Sequence, residues 1–126
     1  MHIGILQFEL LIRGAESLKD KRRVIKSLKD RLHREHMVSV AEIGLLDLPH
    51  AGRLGLACVS RDAKHIQGVL DRVVSKLRGL HEAELGDCAR EILCPDHLPG
   101  SMLDETGEPL WTESDRRDEH RTEPRP

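Results

Sequence analysis

Tyrosine and asparagine are absent from this 126-residue chain, and its aromatic side chains come down to Phe8 and Trp111. Without asparagine, no mechanism that needs that side-chain amide is available. With so few aromatics, core volume has to come from Leu, Ile and Val. The same scarcity argues against reading single-stranded nucleic acid by stacking bases on a sheet. Cysteine is also sparse: three residues, an odd number at irregular spacing, make no disulfide framework. No segment approaches the roughly twenty apolar residues of a membrane-crossing helix. Met1-His2 lacks the basic start of a secretory signal, and Gln7 and Glu9 interrupt the apolar run to Ile12. The expected location is the cytoplasm, with no membrane partner.

Charge, by contrast, is abundant at 33% of residues, and the formal net of −2 hides a division. Residues 95–126 hold nine acidic side chains against four Arg, so the first 94 residues are net basic. From Cys94-Pro95 onward no apolar period survives, and Pro, Gly, Ser, Thr and charged residues dominate. Two parts are therefore expected: a folded domain over 1–94, and an acidic, largely disordered tail over 95–126. Such a tail is able to fold back on a basic surface of the domain and compete with a nucleic acid.

Within the first part the hydrophobic pattern switches period several times. Residues 3–12, IGILQFELLI, alternate: Gly4, Leu6, Phe8, Leu10 and Ile12 form an apolar face, and Ile3, Ile5, Gln7, Glu9 and Leu11 a mixed one. A helix follows from Ser17, an N-cap with Asp20 three residues on, as in a capping box. Leu18, Val24, Ile25, Leu28 and Leu32 share one side of it. MVSVAEIG (37–44) and RLGLACVS (53–60) predict the next two strands, joined by the oily loop LLDLPHAG. Ser60 or Asp62 suits the cap of a second helix, with Ile66, Val69, Leu70, Val73, Val74 and Leu77 at helical spacing and Gly79 at its end. A last strand is expected over about 83–93. The order β-α-β-β-α-β matches the ferredoxin-like plait, an α+β fold with a four-stranded antiparallel sheet and both helices on one face. The other face, with Ile3 and Ile5, needs a cover, and a second copy of the chain is the simplest one.

The run SLKDKRRVIKSL, followed by VSVAEIG, an Asp-Leu loop and a Leu-Gly-Leu-Ala strand ending in Val-Ser, resembles the YlxP-like family, domain of unknown function 503, over residues 1–94. The resemblance implies the same ferredoxin-like fold and a bacterial cytoplasmic origin. It also implies a gene often placed beside genes for translation and ribosome-maturation factors, and it carries no catalytic residue to transfer. In the family pattern an aromatic follows the Asp-Leu of the loop, with Arg two residues further on; here Pro49 and Ala51 stand there.

Several residues invite a functional reading. Lys19, Arg22, Arg23, Lys26 and Arg34 fall on or beside the side of the first helix opposite its apolar stripe, with Lys29 at the edge. That face either keeps a two-layer domain soluble or neutralises phosphates, and then the expected partner is structured RNA, such as ribosomal RNA. Lys21 is the exception, a cation near the middle of the apolar side. It must reach past the sheet edge or pair with Glu9, Glu42 or Asp47, and it makes either a structural ion pair or an anchor for a ligand anion. Cys88, Cys94 and His97 lie close in sequence, and His33 and His36 are three apart, but no second pair completes a zinc set, so no metal is expected. No cofactor motif is present, and none of the common catalytic patterns. Arg13-Gly14 faintly echoes the acylphosphatase arginine, but the asparagine of that chemistry is missing. Ser60, Asp62 and His65 read as helix capping rather than a triad. The expectation is a non-enzymatic protein that binds structured RNA through its first helix. The alternative is a protein-interaction or regulatory module working through the open sheet face and the 45–52 loop.

Overall fold

The computed structural model describes residues 1–94. The acidic tail, with Trp111 and His97, lies outside the described residues. Six elements follow in the order β1 (His2–Leu11), α1 (Leu18–His36), β2 (Ser39–Gly44), β3 (Ala51–Ser60), α2 (Ala63–Arg78) and β4 (Glu84–Leu93). The strands form one sheet in the order β2-β3-β1-β4, antiparallel at every pairing. This is the ferredoxin-like α+β arrangement.

Period two in β1 decides what lies inside. Leu6, Phe8 and Leu10 are buried and join Leu54 and Leu56 of β3 in the core. Above them sit Ile25, Leu28 and Leu32 from α1, and Ile66, Leu70, Val73 and Leu77 from α2. Gly4 allows α2 to come this close: a Cβ there would overlap Ile66 Cγ2. Phe8, the one aromatic of the described residues, is 1% exposed and points at the helices. The opposite face carries Ile3, Ile5, Ala41, Ile43, Gly55, Ala57, Val59 and Ala89, with Gln7 and Glu91 among them and the Glu9–Arg53 pair crossing it at 2.8 Å.

Both helices start on side-chain caps. Ser17 is extended, and its hydroxyl accepts the Asp20 N–H at 3.2 Å. The short Asp20 side chain reaches back to the Glu16 N–H at 3.1 Å, one residue upstream of the cap, so the expected box closes off register. Asp62 caps α2 by accepting from the Lys64 N–H at 3.0 Å, and Ser60 in turn accepts from the Asp62 N–H. Met37, expected in the second strand, instead ends α1 in the left-handed conformation at φ 54° and donates its N–H to the His33 carbonyl.

Candidate functional site

The placement of the helices concentrates positive charge on one side of the molecule. α1 carries eight Lys and Arg against three acids, and α2 four against one. The four strands together hold five acids and two Arg. Since both helices cover the same face of the sheet, the helix layer is strongly basic and the remainder acidic.

Along α1 the outer arc holds Lys19, Arg22, Arg23, Lys26 and Arg34, all exposed, while Lys29 is half-buried at the margin. Arg23, Lys26, Ser27, Asp30, Arg31 and Arg34 line a shallow groove. Two of these cations have acidic neighbours on the same helix: Arg23 lies 3.4 Å from Asp20, and Lys26 lies 3.3 Å from Asp30. Both cations are about four-fifths exposed, and such pairs are worth at most about 1 kcal/mol. A phosphate would displace them readily. Lys19, Arg22, Lys29 and Arg34 have no ion-pair partner among the described residues. Arg31 and the basic residues of α2, Lys64, Arg72 and Arg78, belong to the same layer and were not singled out by sequence. The signal was available: the net charge of each helix, summed once the strand order puts both on one face. At the far end of α1, Lys76 of α2 donates to Glu35 at 2.6 Å. That hydrogen bond, reinforced by the charges of Lys76, His36 and Arg34 and opposed by desolvation, holds the Glu35 carboxyl below the usual carboxylate range.

Lys21 faces the other way. Its side chain is 1% exposed, and its Nζ donates to the carbonyls of Leu45 (2.8 Å), Ala51 (3.1 Å) and Leu46 (3.3 Å). Glu42 Oε2 lies 2.9 Å from the same nitrogen in ion-pair contact, off the direction of a hydrogen bond, since the three protons go to the carbonyls. Of the three carboxylates considered for Lys21, Glu42 is the one it meets. The hairpin is shaped for this contact. The β2–β3 register slips between Glu42 and Gly44, and Leu45 then takes a left-handed conformation at φ 57°. These two irregularities turn the backbone of residues 45–51 so that the carbonyls of Leu45, Leu46 and Ala51 converge on one ammonium. Leu46 and Leu48 consequently face water at about half exposure.

The other candidates stay apart. Arg13 pairs with Glu84 at 3.0 Å. Cys88 is exposed, and His97 lies outside the described residues. Among the described residues, no group of three or more His, Cys, Asp or Glu is placed to hold a metal. No helix among them is long and apolar enough to cross a membrane. Cys58 is partly buried beside Gly4, and burial pushes its thiol up from the ordinary value, against a backbone hydrogen bond at Gly4.

A ferredoxin-like domain with a basic helix layer, a buried lysine pinning one hairpin and an uncovered sheet face is the class these features define. Residues 3–90 match the family described as "Protein of unknown function (DUF503)", and the chain belongs to that family. It is similar to "Uncharacterized protein YlxP" of Bacillus subtilis (strain 168), at 34% identity over 82 residues, spanning 65% of this chain and 89% of the relative.

Proposed function

We propose that this is a cytoplasmic binding protein rather than an enzyme, which docks on structured RNA, such as a ribosomal particle, through its helix layer. The observation that carries this reading is the segregation of charge. Twelve cations against four acids lie on the two helices, and the balance of the strands is negative. A helix face of this kind meets phosphates as a surface and releases their counterions, so affinity falls steeply with salt. The inward Phe8 supports contact through helices over base stacking on the sheet.

The test is binding to a ribosomal RNA fragment across a salt series. Charge reversal at Arg22, Arg23 and Lys26 removes up to three phosphate contacts and should lower the slope of log K against log salt by about 2 to 3. All three are exposed, so the core is undisturbed, and losing the two surface pairs costs at most about 1 kcal/mol each. Unchanged affinity and slope would sink the proposal.

A second reading is a protein-interaction or regulatory module acting through the open sheet face and the 45–52 loop, and the Lys21 anchor favours the loop's part in it. A buried ammonium with four oxygen neighbours holds a loop whose leucines face water. Leu46→Ser with Leu48→Ser separates the two: loss of a protein partner with RNA affinity intact belongs to this reading. Under the RNA reading, the open sheet face is proposed to be covered by a second copy of the chain.

A further inference from the structure

A cleft of about 580 Å³ opens at the end of the molecule where β1 runs into α1 and α2 runs into β4. That volume is in the range of roughly 300–1,000 Å³ typical of small-molecule sites. Its floor is apolar. Ile12, Ala15 and Ala83 are buried there, and Val24, Leu80 and Leu85 pack on the core while keeping part of their surface open. Core contact on one side and water on the other is an unfavourable state for three aliphatic side chains, and an apolar ligand body would relieve it.

The charges around the rim largely cancel among themselves. Arg13 lies 3.0 Å from Glu84, and Arg23 lies 3.4 Å from Asp20. Asp20 also accepts the Glu16 N–H, and Glu82 takes Arg31 at 3.2 Å. Every carboxylate lining the cleft is thereby matched to a cation. What is left over is positive or hydrogen-bonding: Arg78 and His81, both exposed, have no ion-pair or side-chain hydrogen-bond partner among the described residues.

We propose that this cleft binds a small amphipathic organic anion, its apolar body on Val24, Leu80 and Leu85 and its carboxylate or phosphate monoester on Arg78 and His81. Arg78 offers the planar fork suited to either head group. The cleft shares Arg23 and Arg78 with the basic helix layer, but its apolar floor is separate from that layer, and neither Arg22 nor Lys26 lines it, so the site does not rest on the RNA reading.

Amide NMR titration of the full chain with phenylbutyrate and with uridine monophosphate tests it, beside their neutral counterparts phenylbutanol and uridine. Saturable shifts at residues 12–15, Val24 and 80–85 are expected with at least one anion, and weaker ones with its neutral counterpart. Which anion binds tells a carboxylate ligand from a phosphate one. Arg78→Gln, an exposed change at a helix end, should weaken that anion roughly tenfold and leave the melting temperature in place. The proposal is overturned by shifts scattered over the helix layer, by equal affinity for the neutral counterpart, by an unaffected Arg78→Gln, or by no shifts at millimolar probe.

Discussion

Lys21 shows how a single residue ties three elements together. It starts on α1, ends among carbonyls of the β2–β3 hairpin and touches Glu42, the one carboxylate of β2. Lys21→Met keeps the length and loses the charge, leaving Glu42 and three carbonyls without their cation. Breaking a buried pair in this way costs about 3 to 5 kcal/mol, to be read from urea unfolding. Glu42→Gln should cost less, because Nζ retains its three carbonyl acceptors. Equal stability of Lys21→Met and the parent would show that the loop holds itself. That Lys21 lies on the apolar side was legible from helical spacing alone. Its acceptors were not, because they are backbone carbonyls presented by a bulge and a left-handed leucine, which no side-chain pattern announces. Glu35 gives a second residue-scale expectation. Its carboxyl is lowered chiefly by the Lys76 hydrogen bond, so the ionised form is favoured in the folded state. The stabilisation is present above the carboxyl's unfolded value and is lost as pH falls through that value toward the lowered one. Lys76→Met should raise the Glu35 titration toward the ordinary range in a carboxyl-detected NMR series; an unmoved titration would remove Lys76 as the cause.

At the scale of elements, the pattern of the sequence and the structure agree on number, type and order, and differ at ends. The reason is physical in each case. Met37 is apolar and adjoins a strand-like run, so alternation assigns it to β2, whereas the helix needs a left-handed residue to stop and uses this one. Its side chain is 85% exposed and packs on little. Met37→Gly therefore removes the left-handed strain without loss of burial and should stabilise the domain by about 0.5 to 1 kcal/mol in thermal or urea unfolding. A loss of stability would mean that Met37 contributes contacts in solution that outweigh the strain. The other end of α1 was readable because capping is local: Ser17 and Asp20 lie within four residues of the backbone groups they satisfy. The cleft between the β1–α1 and α2–β4 turns had no such local mark. It brings Ile12 and Val24 beside Leu80 and Leu85, some sixty residues away in the chain, and only the closed sheet puts them together.

For the molecule as a whole, the two layers leave two unlike surfaces, one strongly basic and one flat and largely aliphatic. The flat one is the outer side of the sheet. Small residues, Ala41, Gly55, Ala57 and Ala89, lie among Ile3, Ile5, Ile43 and Val59, so a second sheet is able to approach to about the 10 Å of face-to-face packing. Four strands at about 4.8 Å and up to ten residues at about 3.3 Å give a footprint of about 20 by 30 Å. That is of the order of the ~800 Å² per partner of a standard stable interface. The Glu9–Arg53 pair is already satisfied within one copy, which leaves Glu91, opposite Ile5, as the charge a second copy would have to match or leave at the rim. A dimer through this face also turns the two helix layers outward in opposite directions, which leaves both basic surfaces free for phosphates. Sedimentation equilibrium should therefore give twice the chain mass at micromolar concentration. Ala57→Arg puts a charge at the exposed centre of the face, opposite Ile5, and should return the protein to the monomer with its melting profile otherwise that of a folded domain. A monomeric parent would overturn the dimer, and a dimer that survives Ala57→Arg would move the interface off the sheet and onto the helix layer or the hairpin, where it would compete directly with RNA.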